Sequence, residues 1–396
     1  MAFVRLHLCL KVNLDYCEHT LGHTPVHNNN VGIRMSLILE DVDLQVGREM
    51  HIDRASLELA PGSFNVLLGR TLAGKTTLMR LMAGLEMPTR GRIVMNGHDV
   101  TRLSVRQRNV SMVYQQFINY PGMTLYENIA SPLRLAKVDQ EEIDRRVHET
   151  AEMLHIEHLL ERYPLELSGG QQQRTAMGRA LVKDADVILF DEPLVNLDYK
   201  LREELREELR TLFAERHCIA VYATTEPSEA LSLGGHTAVL HQGQVLQYGP
   251  TEEVYRWPNS TRAAEMFSEP PMNFLDGEIT DSSVIIGERY RLPDNAGFLH
   301  LPPGSYRFGI RASHISLIPN DDRDIAMDVR VDLAEISGSE TFLHVHDQQS
   351  DMTVHLAGIH EFEVDDEVTL YFPVHKVYAF DAQGSVAHVP AYLGES

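Results

Sequence analysis

The chain has 396 residues, with 57 acidic and 35 basic side chains and a formal net charge of −22 at pH 7. That balance argues against nucleic acid as the main partner, because a phosphate-tracking surface needs clustered Lys and Arg. A hydrophobic content of 43% and a charged content of 23% belong to an ordinary globular protein. At about 150 residues per domain, the length suggests two or three domains. No apolar run reaches the ~18 residues of a membrane-spanning helix, so attachment to a membrane has to go through partner proteins. The three cysteines, Cys9, Cys17 and Cys218, lack metal-ligand spacing and fit a reducing compartment.

In residues 1–34 an apolar segment is interrupted by Arg5, His7 and Lys11, and no small-residue cleavage site follows. This speaks against a signal peptide. The His- and Asn-rich run at 19–30 has no periodicity and reads as loop or disorder. Met35 stands directly before the first strand pattern, so we read it as the natural start and 1–34 as a disordered or non-native extension. Recovery of peptides from 2–34 in native protein would refute that reading.

Strand patterns at 37–44 and 51–59 flank Gly47 as an antiparallel pair, and the apolar run 64–68 reads as a buried strand. Next comes Gly69-Arg70-Thr71-Leu72-Ala73-Gly74-Lys75-Thr76-Thr77, followed by a helical pattern from Leu78. Strand, glycine loop and helix in that order make G-x-x-x-x-G-K-[ST] a phosphate cradle. Loop N–H groups and the helix N-terminus then point at a polyphosphate. Lys75 bridges the β- and γ-phosphates in this reading, Thr76 places its hydroxyl on Mg²⁺, and Thr77 lies beside the α-phosphate. A plain glycine turn would fit the loop alone, but not the motifs that follow it.

A strand at 92–95, a turn at Asn96-Gly97 and a strand at 110–114 lead to a helical pattern over 124–162. Pro121 and Pro132 are expected to break it into pieces, and it reads as a helical subdomain inserted into an α/β core. Leu167-Ser168-Gly169-Gly170-Gln171 opens a further helix. Its glycines let the backbone approach an anion, Ser168 donates a hydrogen bond, and the helix N-terminus adds its dipole. The buried strand 187–190 ends in Asp191-Glu192: Asp191 can hold Mg²⁺ through water, and Glu192 can take a proton from an attacking water. The repeated Leu-Arg-Glu-Glu of 201–210 reads as a solvated helix whose charges pair among themselves. A strand at 218–223 and a hairpin at 237–246 complete the core. Pro258, Pro270 and Pro271 mark 256–274 as a linker. Strands at 278–286, 306–310, 325–336, 341–345 and 367–372 then form a small all-β, OB-like domain.

Five elements stand in one order: the phosphate loop, Gln115 after Met112-Val113-Tyr114, residues 167–171, Asp191-Glu192, and Asn196-Leu197-Asp198. In this the chain resembles the ATP-binding subunits of ABC transporters over roughly 37–390. The resemblance implies an α/β P-loop nucleotide hydrolase at 35–255 with a helical subdomain at about 116–180. A linker at 256–274 and an OB-like (TOBE-type) regulatory β domain at 275–396 would follow. ATP and Mg²⁺ are the implied cofactors, with ATP held by Gly69, Arg70, Thr71, Leu72, Ala73, Gly74, Lys75, Thr76 and Thr77. Mg²⁺ would lie near Thr76, Gln115 and Asp191, while Glu192 and Gln115 act in catalysis beside a switch position at Thr225. Leu167, Ser168, Gly169, Gly170 and Gln171 would close over ATP held by a second subunit, and Asp198 would couple the two sites across the dimer.

Arg307-Phe308-Gly309-Ile310-Arg311 with His314, and Gly338-Ser339-Glu340-Thr341, look like the regulatory barrel of sugar-importer ATPases of the maltose and glycerol-3-phosphate type. The tracts Tyr114-Gln115-Gln116-Phe117-Ile118-Asn119-Tyr120-Pro121 and Tyr222-Ala223-Thr224-Thr225-Glu226-Pro227 look closest to one ATPase subunit of glycerol importers, which pair two different ATPase chains. The implied partners are two permease subunits, a second ATPase chain in a heterodimer or alternatively a homodimer, and a substrate-binding protein, with no nucleic acid. The implied place is the cytoplasmic face of the bacterial inner membrane.

Three positions depart from the family pattern. Thr225 stands where a switch histidine is usual, Val46 where an aromatic stacks on adenine, and Leu72 where an additional glycine is common. The reading is an energy-coupling ATPase of an importer for glycerol, glycerol-3-phosphate or a related sugar or polyol. The alternative is a poorly hydrolytic scaffold subunit whose residues 167–171 complete a second ATPase's site. A soluble ABC protein of translation or DNA repair fits less well, because a single ATPase unit is followed here by a β domain.

Overall fold

A computed structural model describes residues 35–390, apart from 63, 196, 217, 288–289, 293–296 and 349. The readings made on 1–34 and on Asn196 lie outside the described residues. In chain order the elements begin β1 (Leu37–Val46), β2 (Glu49–Leu59), β3 (Phe64–Leu68), α1 (Lys75–Ala83), β4 (Arg90–Met95), β5 (His98–Asp99) and β6 (Val110–Val113). Helices α2 (Leu125–Leu135), α3 (Gln140–Met153) and α4 (Gly169–Leu181) follow. The core closes with β7 (Val187–Asp191), α5 (Tyr199–Glu215), β8 (Ile219–Thr224), α6 (Pro227–Leu233), β9 (His236–His241) and β10 (Gln244–Pro250). Two short helices, α7 (Thr251–Arg256) and α8 (Thr261–Met266), precede the last ten strands. These are β11 (Asn273–Ile279), β12 (Val284–Ile286), β13 (Tyr290–Arg291), β14 (Gly304–Ile310), β15 (Ile325–Ser337), β16 (Glu340–His346), β17 (Asp351–Ala357), β18 (Glu367–Phe372), β19 (Tyr378–Phe380) and β20 (Val386–His388).

Every residue of β3 and β7 is buried. Such continuously buried, largely apolar strands suit a parallel sheet covered on both faces. They sit inside the order β10-β9-β3-β8-β7-β6, where β3 pairs in parallel with β8 and β9, and β7 with β6 and β8. An antiparallel sheet, β2-β1-β4-β5, packs with one face of this central sheet around α1, whose Leu78, Met79, Leu81 and Met82 share its core. On the other face, α2 to α6 contribute Ile129, Val147, Met177, Leu209 and Ala230 to a second core. The carboxyl ends of β3, β7 and β8 therefore meet at one edge, where open α/β sheets place their ligands.

The C-terminal region folds as two antiparallel sheets, β13-β12-β11-β14-β19-β20 and β17-β16-β15-β18, around one core, an OB-like arrangement. Residues 278–286, expected as one strand, are divided between β11 and β12. Thr280 accepts the N–H groups of Ser282 and Ser283 on its side chain and turns the chain there. The segment 256–274 carries α8 and the start of β11, so it is more ordered than its prolines suggest.

Two further differences concern helices. Pro132 lies inside α2 and does not break it. The Asn128 carbonyl, left without its usual helical donor, takes the Ser131 hydroxyl at 2.7 Å. In α5, expected to be solvated, Arg206 is only 7% exposed and reaches inward to Glu229. It keeps the expected pair with Glu203 of its own helix at 2.7 Å and also meets a buried carboxylate, which a local charge pattern cannot reveal.

Candidate active site

The turn after β3 begins with Gly69, where an added Cβ would stand 2.5 Å from the Leu240 carbonyl oxygen. Only glycine allows that approach. Gly74 takes φ +103 directly before α1, which points the helix N-terminus into the loop. Leu72 also lies in the left-handed region, at φ +68, with its side chain 93% exposed. This explains physically why the position favours glycine.

Lys75 is 5% exposed. Its Nζ donates to the carbonyls of Gly69 at 2.8 Å and Arg70 at 3.3 Å, and lies 3.5 Å from Glu192 Oε1. Burial lowers its pKa, and the Glu192 carboxylate opposes that shift. Thr76 donates its hydroxyl to Asp191 Oδ1 at 3.1 Å, and Gln115 donates its amide to Glu192 Oε2 at 2.9 Å. Asp191 is buried at the end of β7, and burial raises its pKa against the lowering effect of the Thr76 hydrogen bond. Glu192 adopts φ +48 while its N–H donates to the Ala223 carbonyl at 3.2 Å. A non-glycine residue in that region is the kind of local strain found at functional sites.

These side chains meet at a pocket of ≈ 560 Å³ lined by residues 71–77, Gln115 and Glu192. Its rim also includes Glu49, Met50, His51, Gln242 and Gly243, which sequence reasoning missed. The turn Gln242-Gly243 supports the loop through the Gly243 N–H, which donates to the Ala73 carbonyl at 2.9 Å. A Gln-Gly turn is legible in sequence, but not its docking on a loop about 170 residues earlier. Arg70 pairs with Glu265 of α8 at 3.0 Å, another long-range contact.

Residues 167–171 are not among those lining this pocket. Ser168 caps α4 instead, accepting the Gln171 N–H at 3.4 Å, while Gln171 Oε1 accepts the Ser168 N–H at 2.9 Å. Ser168 and Gly169 face solvent, so this helix start is open to a second molecule. Asp198 is exposed and caps α5 through the Leu201 N–H at 3.0 Å. Thr225 is exposed after β8, and Val46, 52% exposed, lies outside the pocket lining.

A buried lysine at a glycine loop, a hydroxyl beside an acid, and a second acid bonded to a glutamine define a P-loop nucleotide hydrolase. Comparison with known proteins narrows this class. The family described as ABC transporter matches residues 52–195, and the TOBE domain family matches 308–380. The chain is 36% identical to the sn-glycerol-3-phosphate import ATP-binding protein UgpC of Psychromonas ingrahamii, over 84% of this chain and 90% of that one. It is 37% identical to the trehalose/maltose import ATP-binding protein MalK of Thermococcus litoralis, over 87% and 96% respectively. For the oligosaccharides import ATP-binding protein MsmX of Bacillus subtilis the identity is 33%, over 86% and 95%. A solved dimeric bacterial ABC transporter cassette aligns with a TM-score of 0.51 at 28% identity, covering 54% of this chain and 98% of that one. The chain belongs to the family of ATP-binding subunits of ABC importers and is an ATPase coupled to transport.

Proposed function

We propose that this chain binds Mg-ATP on its phosphate loop and couples hydrolysis to uptake of glycerol-3-phosphate, glycerol or a related polyol through two permease subunits. The observation that carries the reading is the joined constellation of Lys75, Glu192, Gln115 and Thr76 at one pocket, with Asp191 buried behind it on the Thr76 hydroxyl. Glu192 holds one oxygen near Lys75 and the other on Gln115, so it is oriented to accept a proton from water at the γ-phosphate. Thr76, Asp191 and Gln115 offer hard oxygen donors of the kind Mg²⁺ takes, and they would hold it. Bound there, the ion would neutralise phosphate charge.

Residues 167–171, open to solvent on α4, would close over ATP held by a second ATPase chain, with Asp198 at the contact. We read that second chain as a different protein. By the family pattern Val46, Leu72 and Thr225 would all serve ATP held on this chain's own loop, although only Leu72 lines the pocket, whereas residues 167–171 keep the full pattern. A partner that retains the histidine would give the complex one well-formed site.

Exposed Ile118 and Tyr120 between β6 and α2 offer an apolar docking surface to the permeases. The segment is tied to α4: Arg179 donates to the Ile118 carbonyl and lies 4.8 Å from the Tyr120 ring centre, and Asn119 donates to the Gln172 carbonyl at 2.8 Å. Motion of a docked permease would thus reach residues 167–171 directly. Among the described residues no helix is long and apolar enough to cross a membrane. The chain would sit at the cytoplasmic face of the inner membrane by these contacts, receiving cargo through a substrate-binding protein.

Two measurements test the reading. Lys75→Ala should weaken Mg-ATP binding by about 10- to 100-fold, the worth of a charge-assisted hydrogen bond. Unchanged affinity would reject the phosphate-loop assignment. A deletion strain should lose uptake of glycerol or glycerol-3-phosphate; intact uptake of both, with loss of another sugar, would reject the cargo.

A further inference from the structure

Behind the turn at Thr225 lies a buried polar cluster that the chemistry above does not use. Glu229, on α6 and 4% exposed, accepts the Thr224 hydroxyl at 2.6 Å and the Tyr222 hydroxyl at 3.3 and 3.4 Å. Arg206 of α5 reaches the same carboxylate at 3.5 Å. Thr224 is itself a hub. Its hydroxyl oxygen accepts the Glu226 N–H at 3.0 Å, and its carbonyl accepts the Gly69 N–H at 3.3 Å. One turn earlier on α5, Arg202 meets the Glu226 carboxylate at 3.4 Å and approaches the Val195 carbonyl at 3.4 Å.

Glu229 and the Thr224 whose hydroxyl it holds therefore join three pieces of the site: the first glycine of the phosphate loop, bonded to the Thr224 carbonyl, the turn that carries residue 225, and the helix that Asp198 caps. A buried carboxylate without donors is costly, so the pieces that supply its donors are held in one arrangement. An apolar residue at 229 would pack α6 against β8, but would give Thr224 no acceptor and would leave Arg206 paired only with Glu203 on its own helix, at 2.7 Å. The cluster also fixes the turn independently of the side chain at 225, which faces solvent.

We propose that Glu229 is a positioning residue that fixes the turn from 224 to 226 against the phosphate loop and ties it to α5. Residue 225 is then held where its side chain can face the γ-phosphate. The proposal rests on the reading that this pocket hydrolyses ATP. A threonine there gives a short hydroxyl, whereas a histidine on the same fixed turn offers a longer reach and a ring N–H. The turn is in this view a sound mount carrying a weak side chain.

The test measures single-turnover hydrolysis of saturating Mg-ATP at this chain's site in the assembled complex, with the second ATPase chain's phosphate-loop lysine replaced, and with ATP affinity and thermal midpoint recorded for each variant. Thr225→His should raise the rate at least tenfold. Adding Glu229→Gln or Thr224→Val should remove that gain, with ATP affinity kept within twofold. A purely structural role would lower midpoint, affinity and rate together, and would not depend on the side chain at 225. The proposal is overturned if Thr225→His gives no gain, or if the double variants stay as fast as Thr225→His alone. It is also overturned if their rate falls only together with affinity. Should Glu229→Gln fail to fold, Thr224→Val, which removes a single hydroxyl, decides the question by the same measurements. Failure of the underlying site reading is separate: it would show as unchanged ATP affinity in Lys75→Ala, or as hydrolysis that survives Glu192→Gln in this chain.

Discussion

Lys75 and Asp191 are charges that the fold buries at one site, and both are shifted toward their neutral forms. That arrangement has a measurable consequence in the ligand-free protein. Because the folded pKa of Asp191 is raised, the stability it contributes is complete below the ordinary value of 3.8 and is lost as pH rises through the folded value. Asp191→Asn should therefore stabilise the nucleotide-free protein at pH 7 to 8, and the gain should vanish on acidification below 3.8. Urea denaturation across that range checks it; a gain independent of pH would refute it. The same variant should lose Mg²⁺-dependent turnover, the common trade between site chemistry and stability. Leu72 gives a second case. A left-handed backbone costs a residue with a Cβ about 1–2 kcal/mol, while glycine returns part of this through chain entropy. With its side chain 93% exposed, Leu72→Gly should gain about 0.5–1 kcal/mol in chemical denaturation.

At the scale of elements, α4 would serve two tasks from one terminus in the proposed complex. Ser168 and Gln171 satisfy each other's backbone N–H groups, which stabilises the helix in the absence of any nucleotide. Ser168→Ala should therefore cost about 1 kcal/mol of stability and leave ATP affinity of the isolated chain unchanged. In the assembled complex it should lower turnover by about 10²-fold, the usual worth of a donor aimed at developing charge. Glu192→Gln should lower turnover less if the partner holds the stronger site. Equal losses from the two variants would reject the asymmetric pairing.

For the molecule as a whole, Arg311 is one tie between the β domain and the segment that leads out of the nucleotide-binding core. It is buried, donating to the Phe267 carbonyl at 3.0 Å, the Ser268 hydroxyl at 2.5 Å and the Tyr255 carbonyl at 2.5 Å. Its guanidinium also lies 3.7 Å from the centre of the Tyr255 ring. The peptide it grips continues from α8, whose Glu265 pairs with Arg70 of the phosphate loop. Arg311→Met should cost at least about 2 kcal/mol, because three oxygens lose their donor without water to replace it. Calorimetry should then resolve separate transitions for the β domain and the core; one unshifted transition would show that other contacts suffice.

The sequence by itself determined the phosphate loop, the pair Asp191-Glu192, the helix start at Ser168 and the two-part fold. Each is written in a few consecutive residues whose backbone geometry is set locally: glycines where the chain must approach or turn, apolar runs where a strand is buried on both faces, a serine where a helix needs a cap. Only the tertiary structure decided that Gln115 meets Glu192, that Gly243 and Glu265 brace the loop from far later in the chain, through Ala73 and Arg70, and that Arg206 turns inward to Glu229. Those contacts join residues from separate elements. The charge repeat of α5 reads the same whether its arginines face water or a buried carboxylate, because a helix records its own periodicity and not what packs against it. The proline in α2 misleads for a similar reason: whether it breaks a helix depends on a second donor for one carbonyl, here the hydroxyl of Ser131.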